Sequence, residues 1–267
     1  MTARRDMNWH YEISGRIGGK PLVLVHGFFG TLHAWDSLLP MLEEPFRILR
    51  VDLPGHGDTP VPPAPLDLRE AGAMVGQLIG QVFGERALLC GYSMGGRIAL
   101  HTALSSPATI SGLVLIGASP GIEDITERSA RRTRDMELAG EIRRRGIEWF
   151  NEFWLSQPLF AHLPAHLRES LKRQRATADP EGLAFALENL GAGTQDYLVP
   201  ELAKIRCPVL LLAGEKDRKY SVANRVMEKS FLNAHVQRKE IANAGHSVHL
   251  ENPQAVTEAI VSFAQTL

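Results

Sequence analysis

The sequence predicts an α/β fold in which a mostly parallel, doubly wound sheet is interrupted by an inserted helical cap. In the first 120 residues, short and almost continuously apolar runs alternate with longer segments of helical spacing, which is typical of parallel strands buried on both faces. Residues 120–197 contain no strand-like run and have the spacing of several helices. The alternation then resumes and completes the sheet pattern. We therefore expect a core built from residues 1–119 and 198–267, with the cap between its two parts.

The individual elements of the core follow from this alternation. The candidate strands are residues 21–26, 47–52, 87–91, 112–117, 208–214 and 236–241. The candidate helices are residues 35–42, 68–83, 94–105, 222–229 and 253–263. The last helix has clear start signals, because Asn252 is a good N-cap residue and Pro253 suits the first helical turn.

The most specific motif is Gly91-x-Ser93-x-Gly95, which lies between a predicted strand and a predicted helix. The chain passes close to itself on both sides of such a turn, so glycine is required on either side of the serine. This geometry holds the serine in a strained conformation with its hydroxyl exposed, and it is typical of the nucleophile elbow of the α/β-hydrolase fold. Arg97 follows the serine by four residues, which predicts a cation one helical turn from the reactive oxygen.

A reactive serine needs a base and a group that orients the base, and in this fold they follow in the order serine, acid, histidine. Asp217 comes directly after a late predicted strand and is the expected acid, with Glu215 as the competing carboxylate. His246 follows the last predicted strand and is the expected base, with His249 as the weaker alternative. We therefore predict a triad of Ser93, Asp217 and His246.

Two backbone amides are expected to stabilise negative charge beside the serine. One is the amide of Met94, which begins the helix after the serine, where the helix dipole also favours an anion. The other is the amide of Phe28, in the loop after an early strand, where Gly27 lets the backbone come close. These two donors form the predicted oxyanion hole.

Composition argues against several kinds of partner. The formal net charge of −1 gives no electrostatic reason to expect nucleic acid or an anionic membrane surface. The two cysteines imply no disulfide framework and have no metal-ligand spacing. No stretch approaches the roughly 18 apolar residues of a membrane span, and the basic N-terminus lacks the apolar run of a secretory leader. We expect a cytoplasmic protein that acts on a small molecule without a metal or cofactor; its oligomeric state is not indicated.

Motifs spread over nearly the whole core identify the chain as a member of the α/β-hydrolase superfamily. They are His26-Gly27, Asp52-Leu53-Pro54-Gly55-His56-Gly57, the serine elbow, Gly214-Glu215-Lys216-Asp217 and Gly245-His246. A narrower set consists of Gly91-Tyr92-Ser93-Met94-Gly95-Gly96-Arg97, residues 119–135, residues 154–160 and Arg175. This set resembles the 2-succinyl-6-hydroxy-2,4-cyclohexadiene-1-carboxylate synthases, which eliminate pyruvate from a succinyl-enolpyruvyl cyclohexene carboxylate in menaquinone biosynthesis.

The resemblance implies roles for particular residues. Ser93, activated by His246 and Asp217, would remove a proton from the substrate and would not become acylated. The substrate-binding residues that the resemblance implies are Tyr92, Arg97, Arg131, Trp154, Phe160 and Arg175. Such a substrate is a small anion with several carboxylates, and a guanidinium binds a carboxylate bidentately. For the two cap arginines the alternative is a solvated surface position, and for the two large aromatic residues of the cap it is the cap core.

Two other functions stay open at the level of the sequence. A serine hydrolase of the same fold, either a carboxylesterase or a carbon–carbon bond hydrolase, would use the same triad to attack a carbonyl. Arg97 favours a small anionic substrate over a neutral ester. A non-catalytic binding protein would not need the strain at the serine. The predicted function is therefore the pyruvate-eliminating lyase, with a hydrolase of a small anionic substrate as the alternative.

Overall fold

The computed structural model describes residues 8–267, and it confirms the predicted fold class. A seven-stranded sheet has the strand order β1-β3-β2-β4-β5-β6-β7. The strands are β1 Tyr11–Gly15, β2 Lys20–Val25, β3 Phe46–Val51, β4 Ala87–Tyr92, β5 Ile110–Ile116, β6 Val209–Gly214 and β7 Val236–Ile241. All neighbouring pairs are parallel except β1 with β3, which is antiparallel.

The edge strand β1 was not predicted from the sequence. Its five residues alternate between exposed and half-buried positions. A strand that is mostly exposed lacks the continuous apolar run by which the central strands were identified. The six predicted strands are confirmed, with bounds that differ by at most two residues.

Helices cover both faces of the sheet. They are α1 Leu39–Leu42, α2 Leu68–Phe83, α3 Met94–Ser105, α4 Ile125–Leu155, α5 Ala165–Arg175, α6 Pro180–Leu190, α7 Arg218–Ser230, α8 Val248–Glu251 and α9 Pro253–Ala264. The start of α9 is as expected, since the Asn252 side chain accepts a hydrogen bond from the amide of Ala255 at 3.2 Å.

The prediction of one helix over residues 35–42 is wrong. The chain forms a 3₁₀ turn over Leu32–Trp35 and then the short helix α1. Pro40 explains the break, because inside a longer helix its ring would collide with the carbonyl four residues earlier and its missing N–H would leave that carbonyl unpaired. The four-residue helix α8 was not predicted.

Two apolar cores lie on opposite faces of the sheet. Val23 and Val25 of β2 pack into the core beneath α2 and α3, whereas Leu22 and Leu24 pack into the core beneath α1 and α9. Successive residues of a strand point to opposite faces, so the continuous apolar runs in the sequence reflect burial on both sides.

The helices α4, α5 and α6 lie between β5 and β6, within the predicted cap segment 120–197. Helix α4 is broken at Gly146, where φ is +78° and ψ is −179°. Apolar side chains of α4 and α6 pack around Phe150 and against Phe29 of the core. The cap therefore covers the loops at the carboxyl ends of the strands.

Within residues 8–267, no helix is both long and apolar enough to cross a bilayer. The same residues contain no cluster of three or more His, Cys, Asp or Glu side chains arranged to hold a metal ion. The start of the chain, on which the expectation of no secretory leader depends, lies partly outside the described residues.

Candidate active site

Ser93 occupies the sharp turn between β4 and α3. Its backbone is strained, with φ at 53° and ψ at −109°. A Cβ atom on Gly91 would collide with the carbonyl oxygen of Gly95, and one on Gly95 would collide with the carbonyl oxygen of Val25. Only glycine fits at these two positions, so the turn places the half-buried Ser93 hydroxyl at the carboxyl edge of the sheet.

The structure brings Ser93, His246 and Asp217 together. The Nε2 atom of His246 is 3.2 Å from the Ser93 Oγ, and its Nδ1 atom is 2.7 Å from Asp217 Oδ2. Asp217 follows β6 and His246 follows β7, so all three residues come from the carboxyl ends of parallel strands. The geometry suits a serine hydroxyl that gives its proton to the imidazole while the carboxylate orients the ring.

Glu215 and His249, the alternative acid and the alternative base, do not take part in this triad. The Glu215 carboxylate is exposed and accepts a hydrogen bond from the amide of Asn243 at 2.9 Å. His249 is buried and packs on Tyr92, with ring centroids 4.2 Å apart. Burial and the neighbouring His246 lower the pKa of His249 to about 3, which keeps it neutral at physiological pH.

The imidazole of His246 is enclosed by aromatic rings. Tyr220 stacks on it with ring centroids 4.6 Å apart and an interplanar angle of 30°, and Tyr92 lies at 5.2 Å. Sequence reasoning named Tyr92 but missed Tyr220. The available signal was that Tyr220 follows the predicted acid Asp217 by three residues at the start of a helix, which returns its side chain toward the same site.

The two predicted oxyanion donors belong to segments that adjoin the serine. A Cβ on Gly27 would be 2.8 Å from the ring of Tyr92 and 3.2 Å from the Cβ of Ser93, so the loop before Phe28 passes directly against the serine. Met94 is the first residue of α3. Neither amide has a hydrogen-bond partner within residues 8–267, as expected of donors that are open to a developing negative charge.

Arg97 is a buried cation one turn after Ser93, and its amide donates to the carbonyl of Ser93 at 3.1 Å. Its Nη1 atom donates to the carbonyl of Leu190, the last residue of α6, at 2.9 Å. In the described part of the chain it forms no ion pair with a carboxylate. Burial lowers the pKa of Arg97 to about 10, and the guanidinium stays charged at physiological pH.

The two cap arginines differ in their partners. Arg131 is half-buried and its Nε atom donates to Asp135 at 2.8 Å, so a carboxylate already offsets its charge. Arg175, at the end of α5, instead donates from Nε to the carbonyl of Phe29 at 2.8 Å. Its Nη1 atom is enclosed without a partner, and burial lowers the pKa of Arg175 to about 10. Between residues 8 and 267, no carboxylate forms an ion pair with Arg175.

The rings of Trp154 and Phe160 lie between Phe28 and His246. The Trp154 ring lies 5.1 Å from that of Phe28 and 6.0 Å from that of Phe160, and Phe160 lies 6.5 Å from the His246 ring with its edge toward it. Both residues also belong to the apolar clusters of the cap. They are therefore cap-packing residues that face the candidate site.

A cavity of about 280 Å³ lies beside this site, under the cap. Its lining includes Phe28, Tyr92, Arg175, Ser247 and His249. A larger concavity of about 980 Å³ opens around the amino ends of the strands and contains none of the predicted site residues. Ligands of open α/β sheets bind at the carboxyl ends of the strands, so the smaller cavity is the candidate binding site.

Comparisons with known proteins agree with this geometry. The model of the alpha/beta hydrolase family matches residues 22–259. A 2-succinyl-6-hydroxy-2,4-cyclohexadiene-1-carboxylate synthase from Citrobacter koseri is 34% identical over 255 residues, which cover 92% of this chain and 96% of that protein. The synthase of the same name from Serratia proteamaculans is 31% identical over 243 residues, covering 91% and 92%.

A solved structure shows the same likeness. The structure of MenH from S. aureus superposes with a TM-score of 0.91 at 29% sequence identity. The match covers 96% of this chain and 98% of that one. The similarity therefore includes the cap as well as the core.

Proposed function

We propose a function from one premise: the chain belongs to the alpha/beta hydrolase family and, within it, to the 2-succinyl-6-hydroxy-2,4-cyclohexadiene-1-carboxylate synthases. It is an enzyme, a carbon–oxygen lyase of menaquinone biosynthesis that eliminates pyruvate. Its substrate is 2-succinyl-5-enolpyruvyl-6-hydroxy-3-cyclohexene-1-carboxylate.

The names of substrate and product define the bonds that change. The ring double bond at carbon 3 of the substrate becomes a diene at carbons 2 and 4. A proton must leave carbon 2, the double bond must shift, and the carbon–oxygen bond at carbon 5 must break. The departing enolpyruvate takes up a proton and becomes pyruvate. Carbon 2 lies next to the succinyl ketone, so proton removal places negative charge on that ketone oxygen.

We assign the proton removal to Ser93. Its hydroxyl oxygen would take the proton of carbon 2 while His246 accepts the hydroxyl proton and Asp217 orients the imidazole. The amides of Phe28 and Met94 would donate to the ketone oxygen as its charge develops. The distances of 3.2 Å and 2.7 Å within the triad support this relay.

The observation that carries the proposal is the pair of guanidinium groups, Arg97 and Arg175, that have no carboxylate partner within residues 8–267. A buried cation without a counter-charge is costly unless a ligand supplies one. The substrate carries three carboxylates. Arg175 lines the cavity and Arg97 lies one helical turn from Ser93, and we propose that each binds one of these carboxylates. Such a pair has no evident use in binding a neutral ester.

Four further residues complete the proposed binding site. Tyr92 encloses one side of His246, and Phe160 presents its edge to that ring. We propose that Trp154 and Phe160 exclude water above the substrate, which strengthens every electrostatic interaction below them. The Nε atom of Arg131 is bound to Asp135, and we propose that its remaining N–H donors contribute to the attraction of a substrate carboxylate.

We also propose that the enzyme works in the cytoplasm on this small anion, without nucleic acid or membrane as partner. The formal net charge of −1 and the two unpaired cysteines support this proposal.

The assay that tests the function follows pyruvate. Purified protein is given the substrate without added metal or cofactor, and lactate dehydrogenase with NADH reports each pyruvate released. We expect rapid NADH oxidation that the Ser93→Ala variant abolishes. If no pyruvate forms while p-nitrophenyl esters are cleaved rapidly, the protein is a hydrolase and the proposal is wrong.

A further inference from the structure

We propose that Arg175 is a positioning residue for the oxyanion loop, defined here as residues 26–30, in addition to any contact with substrate. By holding the carbonyl oxygen of Phe29, it fixes the backbone that carries the amide of Phe28. The proposal rests on the assignment of the Phe28 amide as an oxyanion donor. It gives the cap a direct role in the geometry of the core's catalytic machinery.

Two contacts join Arg175 to a single loop residue. The Nε atom donates to the carbonyl oxygen of Phe29 at 2.8 Å. The guanidinium carbon also lies 4.7 Å from the centroid of the Phe29 ring, within the range of a cation–π interaction. A hydrogen bond to the main chain together with a contact to the side chain restrains both the position and the rotation of this residue.

Phe29 is a residue that needs such restraint. Its φ angle of 59° is in the left-handed region, which costs a bulky residue about 1–2 kcal/mol. Backbone strain of this kind persists only where surrounding contacts hold it. A relaxation of this φ angle would turn the peptide between Phe28 and Phe29. The Phe28 backbone would then shift, and its own N–H, one peptide earlier in the chain, would move with it.

The core holds the other end of the same residue. The amide of Phe29 donates to His56 Nε2 at 3.2 Å, while His56 Nδ1 lies 3.1 Å from the carbonyl of Pro54. Only a neutral imidazole with its proton on Nδ1 makes both bonds. Burial, with a contribution from His26, lowers the pKa of His56 to about 3 and keeps it in that state. Phe29 is thus fixed at its N–H by the core and at its C=O by the cap.

A guanidinium can perform this role and still bind substrate. It has five N–H donors in a planar fork, and the bond to Phe29 uses only the one on Nε. The Nη atoms have no hydrogen-bond partner within residues 8–267, and Arg175 lines the cavity beside the site. A substrate carboxylate bound to the Nη atoms would therefore restrict the motion of the same side chain that holds the loop.

The first test is residue-resolved hydrogen exchange on the free enzyme. Arg175→Gln is compared with wild type and with Arg173→Gln, which removes an exposed arginine from the same helix. We expect exchange of the Phe29 and Gly30 amides to become about tenfold faster only in Arg175→Gln. The amide of Leu32, which donates to Asp52 at 2.7 Å, is an internal control that should not change. Unchanged exchange at Phe29 would overturn the proposal.

The second test is a reaction that needs the oxyanion loop but offers no carboxylate to Arg175. For hydrolysis of p-nitrophenyl acetate, we expect Arg175→Gln to lower kcat about tenfold with KM little changed, and Arg173→Gln to leave both unchanged. An arginine that acts only on substrate carboxylates would leave this kcat at the wild-type value, which would contradict the proposal. Neither test uses pyruvate release, so failure here is distinct from failure of the lyase function.

Discussion

Tyr220 stacks on the imidazole of His246 with their ring centroids 4.6 Å apart, and it does so from the first turn of the helix that Asp217 precedes. One short segment thus supplies both the carboxylate that binds Nδ1 of the histidine and a ring that covers its face. Tyr92 lies on the same imidazole at 5.2 Å. The ring orientation that points Nε2 at Ser93 is therefore held by a hydrogen bond and by packing together.

This stacking predicts different effects for two substitutions of Tyr220. Tyr220→Phe keeps the ring and should retain kcat for pyruvate release within about twofold. Tyr220→Leu removes the aromatic pair, which contributes about 0.5–1.5 kcal/mol, and should lower kcat about threefold to tenfold. Steady-state kinetics of the two variants provide the measurement. Equal kcat values for Phe and Leu would show that the stacking has no catalytic role.

The identity of the triad acid predicts a large contrast between neighbouring carboxylates. Asp217→Asn should keep the fold but favour the wrong imidazole tautomer, and should lower kcat about a thousandfold to ten-thousandfold, as the equivalent change does in serine proteases. Glu215→Gln, which alters an exposed group bonded to the Asn243 amide, should leave kcat unchanged. The lactate dehydrogenase assay measures both. If Glu215→Gln lowers kcat more than Asp217→Asn does, Glu215 and not Asp217 is the acid of the triad.

The buried cation beside the serine predicts an effect on substrate binding without loss of the fold. Arg97→Ala removes a charge-assisted contact with a carboxylate and should lower kcat/KM about tenfold to a hundredfold. The Tm of the Arg97→Ala variant should fall by only about 2–4 °C, since one hydrogen bond to Leu190 is lost. Arg134→Ala, which changes an exposed arginine of the cap, serves as the control. Wild-type kinetics for Arg97→Ala would assign Arg97 a structural role.

The buried histidines predict that stability depends on pH. Burial lowers the pKa of His56 and of His249 from 6.5 to about 3. Below about pH 6.5 these histidines bind protons in the unfolded chain but stay unprotonated in the folded protein. The free energy of unfolding therefore falls as the pH falls. Each histidine should account for about 2 kcal/mol between pH 7.5 and pH 5.

Urea unfolding at a series of pH values measures this dependence. Replacing His249 with Gln removes one titrating group and should reduce the change in the free energy of unfolding between pH 7.5 and pH 5 by about 2 kcal/mol. A free energy of unfolding that stays constant from pH 7.5 to pH 5 would show that these imidazoles are not buried in neutral form.

Much of the fold could be predicted because burial leaves a pattern in the sequence. The central strands are buried on both faces and read as continuous apolar runs, whereas the exposed edge strand β1 leaves no such run and was missed. Pro40 marked the break in the predicted helix over residues 35–42, but the apolar spacing on either side of it suggested continuity.

Only part of the candidate site could be predicted from the sequence. Ser93, Asp217 and His246 could be named because each follows a recognisable strand in a fixed order. Tyr220 was missed: its position three residues after Asp217 indicates that it is near the site, but a tyrosine in a helix carries no signal of which ring it stacks on. Arg175 could be named only by resemblance, and its bond to Phe29 depends on how α5 of the cap packs on the core, which no local pattern encodes.

We propose that Ser93 acts as a base and does not form a covalent intermediate. The most direct test is the intact mass of the wild-type protein, quenched during turnover while pyruvate is being released. We predict the unmodified mass at every time point. A mass increase that maps to Ser93 and disappears as the substrate is consumed would contradict the claim and identify Ser93 as a nucleophile.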